Sequence, residues 1–557
     1  MTEYPFDLGV YSRPVTTASE TCQIWFDRGF NWLSGFNHEE VAACFKKSIA
    51  ADANCAMAYW GVAYAIGPNY NKTFKHFDKI EMPQMLAEAG TAIAAAQEKS
   101  AASSEVEQAL IAALAERFSA AIAVEDMSPW NDAYGDAMRR VYQQFPNDLD
   151  VTALCADALM NRTAWLMWDV RKGVPNPAAD TVECQSMLEN AITDIRAKGG
   201  PCHAGLWHLY IHLMEMSPEP EKALRVADEL RNLVPDAGHL AHMSTHIYVL
   251  CGEYQAVVEA NHASILADEK FLDYAGPMNI YTLYRVHNYH FKIYGAMFLG
   301  QYAPAIAAVK GLAGTVPDAY LHLEYPRMAN VTEGYLSIYV HAYIRFGRWQ
   351  ELLALSLPED CEVYSMTNAM IHYGKAVALA VLGQIDAATA QQALFEAAVL
   401  KVSKHRYMHT VTCLEILEVG REMLAGELLY RKGAYDQAFA HLRQAVVLED
   451  ALPYDEPWGW MQPGRHALGA LLLEQGHVTE AAAAYRADLG LDQTVIRSNQ
   501  HPNNIWALRG IYKCYQRLGE MTLAAGTKPA LELAQARADS GIEVSCFCAG
   551  QPAENPS

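Results

Sequence analysis

Glycine recurs in this chain at one fixed point of a helix–turn–helix phrase, and that recurrence limits the fold more than any other feature. The phrase is Gly, any residue, a bulky residue, two more, then a small or apolar one. It appears at Gly252-Glu-Tyr254, Gly300-Gln-Tyr302-Ala-Pro-Ala305, Gly347-Arg-Trp349, Gly433-Ala-Tyr435-Asp-Gln-Ala438 and Gly476-His-Val478-Thr-Glu-Ala481. Gly383 and Gly519 open similar stretches, and Gly35-Phe36 is a looser copy. Each phrase lies between helix-length apolar segments rich in Ala and Leu, and β-branched alternation is scarce, so the chain reads as all-α. Glycine supplies the turn conformation, and the small residue lets the second helix pack close to the first. An array of such pairs distributes its core along the chain, which suits 557 residues, more than one hydrophobic core serves.

The phrase resembles the turn of the tetratricopeptide repeat family, Gly-x-Tyr-x-x-Ala, in which a Pro ends the second helix seventeen residues after the Gly. Pro317 stands at that distance from Gly300, and Ser217-Pro218 replaces the turn Gly ahead of Ala223 and Pro235. Successive turns are 36 to 50 residues apart, longer than the family's 34, so the repeats are divergent and carry insertions. The resemblance runs from about residue 20 to 535 and is weakest over 75–130 and 160–200. Phe36-Asn-His-Glu-Glu40, Ala58-Tyr-Trp-Gly61, Gly67-Pro-Asn69 and Ala237-Gly-His-Leu-x-His-Met243 resemble a large, poorly characterised group of tetratricopeptide proteins. The resemblance implies an α-solenoid of antiparallel helix pairs and no reaction. The expected divisions are an extension over 1–19, repeats with insertions over 20–200, His-rich central repeats over 201–350, C-terminal repeats over 351–540, and a loose tail over 541–557.

Composition narrows the function. Apolar residues make up 52% and charged residues 19%, which is a folding composition. A net charge of −22 argues against nucleic acid and against anionic membrane surfaces, and it tolerates a cationic ligand or metal ion. Twelve scattered cysteines without a C-x-x-C pair, an acidic N-terminus where a secretory signal would be basic, and no membrane-length apolar run place the protein in the cytoplasm. There is no phosphate loop, dinucleotide Gly-rich turn, G-x-S-x-G elbow or H-E-x-x-H helix, so nucleotide-driven and serine-hydrolase chemistry are disfavoured. Nothing in the sequence sets an oligomeric state.

Histidine is the informative departure. Nine of the twenty fall between residues 203 and 290, where an even spread would put about three. His208, His212 and Glu215 are spaced i, i+4, i+7; His239, His242 and His246 are spaced i, i+3, i+7; so are His287, His290 and Tyr294. Each trio lies within a stripe of about 60° on its helix. In the tetratricopeptide register, groove-lining positions 2, 5, 9 and 12 of the first helix, counted with the turn Gly as 15, fall on these same residues. His341 takes position 9 of the following repeat. Paired imidazoles on one helix face are a common way to hold a metal ion.

The sequence therefore offers one or two transition-metal ions on His208, His212, His242, His246, His287 and His290, with Glu215 and His239 as further ligands or orienters. Copper or iron fits best, and zinc or manganese also suits the set. Tyr294, His341, Glu456, Arg465 and His466 are candidate groove contacts for a small-molecule or peptide ligand. His38, His76, His262, His372, His405, His409 and His441 read as packing residues. Gly67-Pro-Asn-Tyr-Asn71 reads as a turn, with lining of the groove mouth as the second reading. Cys546-Phe-Cys548 reads as two unremarkable thiols in the tail, too close in sequence to bridge each other easily; the second reading is a weak site for a soft ion such as Cu(I). Two functions follow: a metal-dependent enzyme, best an oxidoreductase, or a non-catalytic scaffold binding a protein or peptide, for which Arg509 and Lys513 are the nearest thing to a carboxylate clamp.

Overall fold

The computed structural model describes residues 4–539 and 541–549. The chain is all-α and tetratricopeptide-like, an α-solenoid fold of antiparallel helix pairs; its strands, among the described residues, are four of two residues each. It divides into two compact units, one of residues 1–247 and 263–281, the other of 248–262 and 282–557. Among the described residues no helix is long and apolar enough to cross a membrane.

The turn glycines act as the sequence requires. Gly252, Gly300, Gly347, Gly383, Gly433, Gly476 and Gly519 all take a positive φ, between 64° and 84°. At each, the glycine N–H bonds three residues back and the next N–H bonds five residues back, as in Gly252 to Val249 and Glu253 to Tyr248. This closure satisfies the last carbonyls of the first helix and reverses the chain. The residue five after each glycine is buried: Val257, Ala305, Leu352, Ala388, Ala438, Ala481 and Ala524 are at most 3% exposed. Helices also start on side-chain caps, with Ser19 accepting from the Cys22 N–H, Asp148 from Val151 and Asn504 from Ala507.

The first unit holds Glu20–Ser34, His38–Ala51, Ala56–Ile66, Leu149–Met160 and Ala204–Met214, with Glu81–Lys99, Glu105–Glu116, Ser128–Gln144 and Thr181–Lys198 beside them. The segments 75–130 and 160–200, faintest in the repeat pattern, are mostly helical, interrupted by an antiparallel pairing of Trp168–Asp169 with Val174–Pro175. The second unit holds the later pairs, from Ser365–Val381 with Ile385–Val399 to Ile505–Leu518 with Met521–Arg537.

Two expectations for the C-terminus change. Residues 541–549, expected in the loose tail, lie against the second unit: Ile542, Ser545 and Cys548 are at most 4% exposed. Backbone carbonyls bonded to arginine and lysine hold them there. The rest of that tail, 550–557, lies outside the described residues. Cys546 and Cys548 are joined in a disulfide, so in this state they offer no pair of thiolates.

Candidate metal centre

Six of the predicted residues meet inside the first unit. His208 and His212 come from the helix Ala204–Met214, Glu215 caps its C-terminus, and His239, His242 and His246 come from Gly238–Cys251. The i, i+3, i+4 spacing puts them on one face of each helix, and the packing of the two helices sets those faces against each other. None of the six is more than 2% exposed. The expectation of an open, groove-lining face is therefore replaced by a buried cluster.

His208, His212 and His239 each offer a ring nitrogen, and the three atoms lie within 4.8 Å of one another. Ring centroids are 4.8 Å apart for His208 and His212 and 5.0 Å for His208 and His239. His208 Nδ1 carries the proton, because it faces the Ser34 carbonyl oxygen at 2.6 Å, and a carbonyl can only accept. Its Nε2 lone pair is left buried, with no hydrogen-bond partner. Burial pushes the His208 pKa down to about 3, so the ring is a neutral donor ready for a metal. Burial and the neighbouring imidazoles hold His239 well below its ordinary value.

Glu215 joins this trio to a second pair. His212 Nδ1–H donates to one carboxylate oxygen at 3.0 Å and His246 Nδ1–H to the other at 2.7 Å. Both rings are thereby fixed in the tautomer that turns the Nε2 lone pair away from Glu215. His246 Nε2 meets His242 Nε2 at 2.8 Å. With the His246 proton committed to Glu215, the hydrogen between them belongs to His242, and it is the one a metal ion would replace. Glu215, expected as a ligand or orienter, thus orients two imidazoles.

Aromatic rings close the cluster. Phe36 packs on His208 with centroids 4.2 Å apart, and on His212 and His239 at 5.7 Å each. Tyr70 and Trp165 cover His212 at 4.9 and 5.7 Å. Among the described residues, four that are not glycine have a positive φ, and two of them, Phe36 at 55° and Trp165 at 62°, place their rings on His212. Left-handed backbone costs an ordinary residue about 1–2 kcal/mol, and such strain gathers where a side chain must be aimed.

His208 also lines a cavity in the same unit. Its walls are apolar, from Phe30, Leu33, Phe36, Leu154 and Leu209, and its polar groups include His38, Tyr64, Asn69, Asp157 and His203. Tyr64 Oη donates to Asp157 at 2.5 Å, and burial raises the Asp157 carboxyl. His38 was expected as a packing residue. Instead both of its nitrogens are buried without a hydrogen-bond partner, and burial pushes its pKa down to about 3. The 67–71 turn is a turn, with Asn69 Oδ1 accepting from the N–H groups of Asn71 and Lys72, and it also walls the cavity. A lining role for the 67–71 turn is open in the sequence as the second reading, whereas that of Phe36-Asn-His is not legible there. Their signal is that a chain otherwise punctuated by Gly keeps Phe, His and Asn at these turns.

The other candidates belong to the second unit. His287 packs on Phe291 and His409, and His290 meets the Tyr335 ring edge to face at 5.2 Å. Tyr294, His341, Glu456, Arg465 and His466, expected as groove contacts, are at most 8% exposed. Aromatic packing and ion pairs account for their burial. Tyr294 stacks on Phe298 and Trp458, and His341 sits edge-on to Trp460. Tyr454 Oη donates to Glu456, and Arg465 forks onto Asp450 at 2.7 and 2.5 Å. His466 Nε2–H donates to Asp488 at 2.8 Å, and that carboxylate also accepts from His501. The packing reading holds for His372, His409 and His441, hydrogen-bonded to Gln391, Asp455 and Glu422.

No protein-family model matches this chain, and no curated protein matches it. Among solved structures it is similar to the APC/C hetero-tetramer Cut9–Hcn1, at 12% identity over 90% of this chain and 78% of that one, with a TM-score of 0.29. It is similar to Naa15/Naa10 bound to HypK-THB, at 14% over 93% and 71%, with a TM-score of 0.22. A monomeric IFIT1 mutant with Gppp-AAAA is 11% identical over 93% and 91%, with a TM-score of 0.31. Identities this low say nothing of ligand or activity.

Proposed function

We propose that the first unit is a metal-dependent enzyme that binds a transition-metal ion on His208, His212 and His239. His242 and His246, joined to them through Glu215, provide donors for a second ion. The observation that carries this reading is His208: a neutral, buried imidazole whose Nε2 has no protein partner, beside two more imidazoles and on the wall of a cavity. Most buried polar atoms find a partner within the protein, so one left open beside other imidazole donors is a candidate ligand.

The trio beside the cavity is imidazole only, which suits copper first. Glu215 is occupied by two Nδ1–H groups, which weakens the case for iron or manganese that a carboxylate ligand would make. A redox-active ion favours an oxidoreductase. Its substrate is a small molecule with an apolar body, held by the cavity walls, and a neutral or cationic polar group facing His38, Tyr64 and Asp157. No lysine or arginine is among the cavity's lining residues, which disfavours phosphate and carboxylate substrates.

Elemental analysis of the purified, untagged chain tests the reading, run beside a His208→Ala/His212→Ala variant. About one equivalent or more of copper, or of iron, is expected in the wild type and lost in a variant that keeps its helical circular dichroism. A wild-type chain that is metal-free and takes up no added copper, iron or zinc would overturn it and leave the scaffold function.

A further inference from the structure

The second unit carries a site that the metal reading does not use. Residues 541–549 form no helix or strand there, yet their backbone is gripped at four points from three helices. Arg509 Nε donates to the Ile542 carbonyl at 2.8 Å, Lys513 Nζ donates to the Glu543 carbonyl, Arg345 donates to the Ser545 carbonyl at 3.1 Å, and Arg431 donates to the Cys548 carbonyl. Carbonyl contacts of this kind hold a backbone whatever its sequence.

Side chains supply the selectivity. Ser545, 2% exposed, donates from Oγ to the His466 carbonyl at 2.9 Å and also meets Tyr485 Oη. Phe547 lies edge-on to Trp506, and a Cβ at Gly347 would come within 3.2 Å of its ring. Ile542, fully buried, covers Gly300. Two turn glycines therefore leave room for the segment as well as closing their helices.

Charge completes the match. The carboxylate of Glu543 lies 3.9 Å from Arg509 and 4.0 Å from Lys513. Arg345, only 4% exposed, lies over the Trp506 ring and donates to His466 Nδ1 at 3.1 Å as well as to the Ser545 carbonyl. Arg509 Nη2 also donates to Gln535 at 3.0 Å, so the segment supplements partners that two of these three cations already have. The segment buries Ile542 and Cys548 as a core segment does, but four of its carbonyls are also held by basic side chains, as those of a bound peptide are.

We propose that residues 541–549 are the tethered occupant of a peptide site in the second unit, and that in trans this site takes an acidic peptide with Glu, Ser and Phe spaced as in Glu543-Val-Ser545-Cys-Phe547. The segment keeps the site closed to other peptides until it is displaced.

The test is fluorescence anisotropy with a labelled peptide of the sequence 538–549. It is run on the wild-type chain, on full-length Ser545→Arg, whose bulk and charge do not fit the buried serine site, and on a chain ending at residue 540. The wild type is expected to bind at least tenfold more weakly than either opened chain. Adding Lys513→Glu to the opened chain should weaken binding at least tenfold, and a peptide with Lys in place of its Glu should restore it. The proposal is overturned if a normally helical opened chain fails to bind, if the wild type binds equally well, or if the charge reversal has no effect. It is also overturned if both opened chains lose their helical signal, since the segment is then part of the core.

Discussion

Replacing Glu215 with Gln tests the centre at its least redundant point. The carboxylate, 1% exposed, accepts Nδ1–H from His212 at 3.0 Å and from His246 at 2.7 Å. Gln keeps the shape but offers one acceptor oxygen and one NH2 donor. One of the two imidazoles must then face donor against donor, or move its proton from Nδ1 to Nε2. The first leaves a buried donor unsatisfied, at about 1–3 kcal/mol. The second converts the Nε2 lone pair, the atom offered to a metal, into an N–H. Either route loses about 10- to 100-fold in metal affinity, the range seen when an orienting partner is removed. The assay is competition for Cu(I) against a chromophoric chelator at neutral pH, with circular dichroism to verify the fold. A Glu215→Gln chain that is folded and holds copper as tightly as the wild type would refute the claim that Glu215 sets the imidazole tautomers.

Two further outcomes test the burial and the turns. Burial pushes His38 and His341 down to about 3, while an unfolded imidazole binds its proton near 6.5, so their stabilisation is complete above that pH and is lost as pH falls from 6.5 towards 3. At pH 5 each neutral ring costs the fold about 2 kcal/mol, and His341→Phe, which keeps the contact with Trp460, should lose less melting temperature between pH 7 and pH 5 than the wild type; equal losses would contradict it. Gly433→Ala and Gly252→Ala share a left-handed backbone worth about 1–2 kcal/mol, but the new Cβ meets nothing within 4 Å at 433 and the Pro502 carbonyl oxygen at 2.4 Å at 252. Urea unfolding should show Gly252→Ala to be clearly the more damaging, and equal costs would mean that the turn at 252 is not packed on residue 502.

The helix pairs were legible because their signals are local. Gly-x-bulky spacing, a buried small residue five positions on and a second apolar helix all fall within some forty residues, and Gly252, Gly300, Gly347, Gly383, Gly433, Gly476 and Gly519 all take the left-handed turn. The imidazole stripes were legible for the same reason, since i, i+3, i+4 spacing fixes a helix face. The cavity was not. His38, Tyr64, Asp157 and His208 come from helices far apart in the chain, and one sequence holds no record of which helices meet. A lone histidine on an apolar helix reads as packing unless its neighbours are known, which is why His38 was passed over. The C-terminal segment misled for a different reason. Composition reports side chains, and that segment is held chiefly through its carbonyl oxygens, so Arg509 and Lys513 looked like a clamp with nothing in it.

The place where the repeat breaks its own rule is therefore as informative as the places where it keeps it. Seven turns spend a glycine on the left-handed position, where no side chain has to be accommodated. At the Gly35-Phe36 turn the left-handed residue is Phe36 itself, with φ of 55°, although a glycine stands beside it and could take the strain. Backbone economy alone would place the glycine there. What the strained geometry gains is a ring set against His208, His212 and His239, with His38 two residues further on at the cavity wall. The neighbouring helix end supplies the Ser34 carbonyl that fixes the His208 tautomer. One irregular turn thus packs the imidazoles, orients one of them and lines the space beside it, which a repeat serving only as a spacer has no reason to do.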